Sequence, residues 1–182
     1  MTGQKRENPQ KTLSKERLAQ ALSDLMREKP YHQITITEIT ERAQLSRRTF
    51  YRHYTVVADI LDYIMHKLCD RYIALLLEQE SYMFRTMAFV YFTFWETHKE
   101  FLLILEKNEL MFLLLQKYNQ YFPEIRAKVR GDGGKSAILE YAFYFNAGGF
   151  WNLHLKLLKE GAVLSLLEMA KLAEDILKHL QG

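Results

Sequence analysis

The stretch Thr35 to Tyr54 constrains this chain most, because it packs two helix start signals into so few residues that only a tight link fits between them. Thr35 with Glu38 three residues on forms a capping box: the hydroxyl takes a free backbone N–H of the first turn, and the carboxylate returns to the N–H of Thr35. Ile36, Ile39 and Ala43 then recur at helical spacing, and Ser46 supplies a second N-cap almost as soon as the first helix must end. The pattern predicts a helix-turn-helix. In its second helix Phe50 and Tyr54 lie one turn apart and seat inward, which at about 100° per residue points Arg48 and Arg52 away. Arg47, Thr49, Tyr51 and His53 flank that outer face. Arginine can grip guanine O6 and N7 with two hydrogen bonds, while Thr, Tyr and His can hold phosphate oxygens. A charge cluster alone would be an ordinary solvated face; the capping box, the tight turn and the aromatic seat together point to DNA.

From the Leu18, Leu22, Leu25, Met26 helix, through Thr35-x-x-Glu-Ile-x-x-Arg-Ala, to Ser46-x-x-Thr-Phe-Tyr-x-His-Tyr54, the chain resembles the TetR family of bacterial transcriptional regulators. That resemblance implies three N-terminal helices as the DNA-binding domain, with the third as recognition helix. It also implies a larger helical domain that dimerises through its last two helices and usually holds an inducer. By it Arg47, Arg48 and Tyr51 face bases, Thr49, Tyr51, Arg52 and His53 hold phosphates, and Thr37 reaches a flanking base or phosphate. With the cap residues Thr35 and Ser46 these complete the candidate DNA-binding set. Two positions depart from the family pattern. Gln44 stands where a glycine is usual, and the lysine that commonly opens the fourth helix is replaced within Thr55–Asp59.

The charge distribution supports a basic head. Residues 1–55 hold 11 Lys plus Arg against 6 Asp plus Glu, a balance of +5; the totals of 25 and 22 leave 14 against 16, or −2, for residues 56–182. At 182 residues and 48% hydrophobic the chain can bury a sizeable core, and three prolines and eight glycines favour long helices over a turn-rich sheet fold. The expected fold is all-α. Residues 1–55 form the helix-turn-helix DNA-binding domain, with 1 to about 12 as a mobile tail, and 56–182 form the regulatory and dimerisation domain. The segment from about Val57 to Glu78 reads as one long helix, roughly 30 Å at 1.5 Å per residue. No long uncharged apolar run and no signal-peptide core is visible, so the expectation is a cytoplasmic protein without a membrane partner.

In the body, Met83–His98 is apolar nearly all round and should be central. Pro123 and Arg130–Gly134 predict a loop, and Gly161 closes the long helix before it. Gly148-Gly149 inside that helix costs roughly 0.5 to 1 kcal/mol per glycine relative to Ala, which close approach of another helix would offset. Tyr91, Trp95, His98, Phe112, Asn146 and Trp151 are the candidate ligand-binding residues: aromatics with polar interruptions suit an apolar pocket, and equally a packed core. The scattered histidines form no metal-ligand pair, lone Cys69 allows no intrachain disulfide, and no nucleophile, dinucleotide or paired-carboxylate motif is present. No enzyme, metal or cofactor is expected. The expected function is a sequence-specific transcriptional regulator, a repressor, binding a palindromic double-stranded operator as a homodimer under control of a small-molecule inducer. The alternative is the same dimer with a body that binds a protein partner, as an activator or adaptor.

Overall fold

A computed structural model describes residues 9–80, 83–121, 137–160 and 164–179, and among these no strand occurs. The helices are α1 (Pro9–Glu28), α2 (Ile36–Arg42), α3 (Arg47–His53), α4 (Val57–Leu77), α5 (Phe84–Thr97), α6 (Lys99–Lys107), α7 (Met111–Gln120), α8 (Ala137–Glu160) and α9 (Leu166–His179), with a 3-10 turn at Tyr31–Gln33. By their packing the residues divide into two units between Lys67 and Leu68, inside α4.

In the first unit, Leu18, Ala21, Leu22, Leu25 and Met26 make the buried stripe of α1, which packs on α2 and α3. Each such side chain contributes about 1.5 to 3 kcal/mol on leaving water. Phe50 is fully buried and Tyr54 nearly so, which fixes the rotation of α3 about its axis. The helix runs back to at least Pro9, so Pro9–Thr12, expected as tail, are helical. Proline suits a first helical turn, where its missing N–H has no partner to lose. The first half of α4 also belongs to this unit: Ile60, Leu61 and Met65 are buried, the Tyr54 and Tyr63 rings lie 6.1 Å apart, and Lys67 pairs with Glu16 at 2.8 Å. The division therefore falls later than residue 55, because the start of α4 supplies core side chains to the head. Asp59 caps α4 by accepting the N–H groups of Thr55 and Val56, at 2.6 and 3.0 Å.

In the second unit, α5 packs against α6, α8 and α9. It buries Ala88, Val90, Tyr91, Phe92, Phe94 and Trp95. Their rings mesh with Tyr72, Tyr118 and Phe150, and the Tyr118 hydroxyl donates to that of Tyr72 at 3.2 Å. Cys69 is buried and burial pushes its thiol up to about 12, which makes it an inert packing group. Gly148 and Gly149 lie within α8, and a Cβ built on either meets nothing within 4 Å. Among the described residues no other helix approaches there. On that helix Tyr141 and Phe145 are 73% and 67% exposed, and they continue with the glycines and exposed Asn152 as one stripe at helical spacing. The expected tail at residues 1–8, the loop at Pro123 and Arg130–Gly134, and Gly161 lie outside the described residues.

Candidate nucleic-acid interface

Two short helices, each started by its own side-chain cap, build the candidate surface. At α2, Glu38 N donates to Thr35 Oγ1 at 3.3 Å and Thr35 N donates to Glu38 Oε2 at 2.9 Å, the reciprocal capping box. Lys29 Nζ contacts the same carboxylate and bonds Gln33 O at 3.0 Å, which ties the end of α1 to the start of α2. Lys29 foremost, then Thr35, lower the Glu38 carboxyl to about 2. At α3, Ser46 Oγ accepts from Thr49 N at 3.1 Å and lies 3.0 Å from Thr49 Oγ1.

Between them α2 closes with a Schellman turn: Leu45 N donates to Thr40 O at 2.9 Å and Gln44 N to Glu41 O at 3.0 Å. That geometry puts Gln44 at φ 52°, in the left-handed region. A residue with a Cβ costs roughly 1 to 2 kcal/mol there, which explains why glycine suits the position. The Gln44 side chain is held by Arg17 Nη2 at 3.5 Å.

On α3 the buried face is Phe50, and Arg47, Arg48, Tyr51 and Arg52 are exposed, with Tyr51 at 53%. Arg42 is locked to Glu28 by two bonds of 2.8 Å and Arg27 to Asp24 at 2.8 Å. Among the described residues none of the three α3 arginines pairs with a carboxylate. The first turn of α3 holds no acidic residue and two arginines, although the helix dipole favours negative charge there. These cations are left open to solvent, and their forked donors are of the kind that match phosphate and guanine.

The other expected residues sit as follows. Thr37 is exposed on the first turn of α2, while the hydroxyls of Thr35 and Ser46 are taken up in the caps. His53 is half-buried, its ring 6.3 Å from that of Tyr54. With Arg52 it lines a concavity of about 440 Å³ whose other wall is Gln10, Lys11 and Ser14 of α1. Lys11 reads in the sequence as part of a tail and Gln10 and Ser14 carry no signal there, although Pro9 suits a first helical turn.

The six candidate ligand residues separate in space. Tyr91, Trp95 and Trp151 are buried in the aromatic cluster, and Phe112 is 64% exposed on α7. The side chain of Asn146 lies outside the described residues. His98 borders a groove of about 590 Å³ formed with Arg71 and Leu75 of α4 and Phe89, Thr93 and Phe94 of α5. Among the described residues no three His, Cys, Asp or Glu side chains converge on a metal position, and no helix is long and apolar enough to cross a membrane.

Residues 14–63 match the family model described as bacterial regulatory proteins, tetR family. The chain is 36% identical over 47 residues to the HTH-type dhaKLM operon transcriptional activator DhaS of Lactococcus lactis subsp. lactis (strain IL1403), a match covering 26% of this chain and 25% of the relative. The chain thus aligns with only about a quarter of that relative's length. A solved structure titled dihydroxyacetone kinase operon activator DhaS superposes with a TM-score of 0.54 at 19% identity, over 92% of this chain and 94% of the other, a likeness of fold. The capped helix pair, its left-handed turn and the seated Phe50 all fall inside the matched segment, and over that segment the chain is similar to the tetR family of bacterial regulatory proteins.

Proposed function

We propose that the protein is a transcriptional regulator that binds a near-palindromic operator as a homodimer, with α3 in the major groove and a signal received by the residues beyond the head. The observation that carries the DNA-binding role is the outward face of α3, where Arg47, Arg48 and Arg52 lack carboxylate partners among the described residues while Arg27 and Arg42 of the same unit have them. In this reading Arg47, Arg48 and Tyr51 face bases. Thr49, Arg52 and His53 hold phosphates, with Thr37 at the flank and Thr35 and Ser46 as caps that orient the two helices. The Tyr141, Phe145, Gly148, Gly149 and Asn152 stripe of α8 supports the dimer, because its glycines offer a close approach that none of the other described residues uses.

Repression is the expected sign when such a dimer covers a promoter. The Lactococcus lactis relative is named as an activator, which favours a second reading in which the body of this chain binds a protein partner and raises transcription. Exposed Leu103, Phe112 and Leu113 would supply its apolar anchors. Selection of duplexes from a random pool, followed by footprinting, tests the common core of both readings. Two inverted half-sites, centred about 34 Å apart or a multiple of that, are expected. A single half-site bound by a monomer in sedimentation would overturn the dimer.

A further inference from the structure

The groove between α4 and α5 lies wholly within the second unit and carries a chemical signature beyond its shape. Its lining includes no aspartate or glutamate, and Arg71 is its one full-time cation. Arg71 is exposed and has no carboxylate partner among the described residues. Leu75 and Phe89, 43% and 42% exposed, form an apolar rim, and Val90 and Phe94 lie deeper. The Thr93 hydroxyl is buried in the wall without a hydrogen-bond partner among the described residues. An exposed guanidinium without an ion-pair partner among the described residues, set beside an open apolar rim, matches a molecule with an anionic end and an apolar tail.

We infer that this groove is a binding site for a small amphipathic carboxylate, its carboxyl on Arg71 and its tail along Leu75, Phe89 and Phe94. The inference rests on the reading of the protein as a signal-responsive regulator and names the class of signal. At about 590 Å³ the groove has the capacity of a site for a single small molecule, whereas a stable protein contact needs some 20 to 30 residues a side. A carboxylate matches one guanidinium through two parallel N–H donors. A phosphomonoester would bring nearly two negative charges to a single cation.

The test is calorimetric titration of the full chain with decanoate, below its micelle threshold, against decanol and decylamine of the same tail length. Decanoate should bind, with the other two at least about tenfold weaker, since a hydrogen bond to a charged group is worth about that factor. Arg71→Gln should weaken decanoate about tenfold and leave decanol unchanged, with Arg71→Lys in between because it keeps the charge and loses the fork. Ala74→Trp, which fills the groove, should abolish binding of all three. Far-UV circular dichroism on each variant ensures that only folded protein is compared. Decanoate binding unchanged in both Arg71→Gln and Ala74→Trp, or equal binding of all three probes, would overturn the proposal, as would no binding at all. Duplex binding by the same samples keeps the two readings apart. Intact DNA binding without carboxylate binding refutes the groove alone, whereas absent DNA binding refutes the regulator.

Discussion

Arg48→Ala separates the two jobs of α3 cleanly. In the free protein Arg48 is exposed, makes no ion pair among the described residues, and sits in the first turn of the helix, where the positive end of the dipole repels it. Removing a like charge at such a position relieves about 0.3 to 1 kcal/mol, and alanine is a slightly better helix former than arginine. The head should therefore keep its stability or gain a little. On DNA the same change should remove about 1 to 3 kcal/mol, a loss of roughly 5- to 150-fold, and should relax preference at one base pair per half-site. Phe50→Ala is the converse. Its ring is fully buried, so truncation should cost about 3 to 5 kcal/mol of stability and lose DNA binding only by unfolding the head. Thermal melts with fluorescence anisotropy on selected and scrambled duplexes distinguish the two. A drop in stability for Arg48→Ala, or an equal loss on both duplexes, would refute the assignment of this arginine to base reading.

The head was legible in the sequence because its signals are local. Thr35 with Glu38, Ser46 with Thr49, and Phe50 with Tyr54 act within a few residues, and the structure holds the first two pairs at hydrogen-bonding distance and the Phe50 and Tyr54 rings 6.0 Å apart. Gln44 was visible as a departure, but its left-handed backbone was not, because the residue type that announces such a turn is missing. The body was legible only as helices. Tyr91 and Trp95 are buried, Phe112 is exposed and His98 borders a groove, yet all four read alike as residues of apolar helices. What separates them is which neighbour each helix turns toward, and that depends on long-range packing. Arg71 reads in the sequence as part of the solvated face of the long helix, and Thr93 gives no signal, because a charge and a hydroxyl on an amphipathic helix look solvated until a groove forms around them.

Three further outcomes are expected. Gln44→Gly should raise the melting temperature of the head, because glycine escapes a left-handed penalty of roughly 1 to 2 kcal/mol while giving back under 1 kcal/mol in chain entropy; an unchanged or lower value would show that the Arg17 contact outweighs the strain. Gly149→Arg meets open space within the chain and so should leave the monomer folded, yet convert the dimer to monomer in sedimentation, and a persistent dimer would exclude this face of α8. Burial lowers the His154 imidazole from 6.5 to about 4, so below pH 6.5 the unfolded chain takes up a proton that the folded one refuses. Its contribution is complete above that pH and is lost as the pH falls toward 4; wild type should lose roughly 2 kcal/mol more than His154→Leu between pH 7 and 5 in urea unfolding, and equal losses would refute it.

The central claim, that the outward face of α3 reads a DNA sequence, is tested most directly by one ratio at one salt concentration: affinity for the selected palindrome over affinity for its scrambled counterpart. A specific regulator should show a ratio of about 10³ or more, collapsing toward unity in the double variant Arg47→Ala, Arg48→Ala while salt-dependent binding persists through Arg52. A wild-type ratio near one, with the same steep salt dependence on both duplexes, would mean that the basic face holds phosphates and reads nothing.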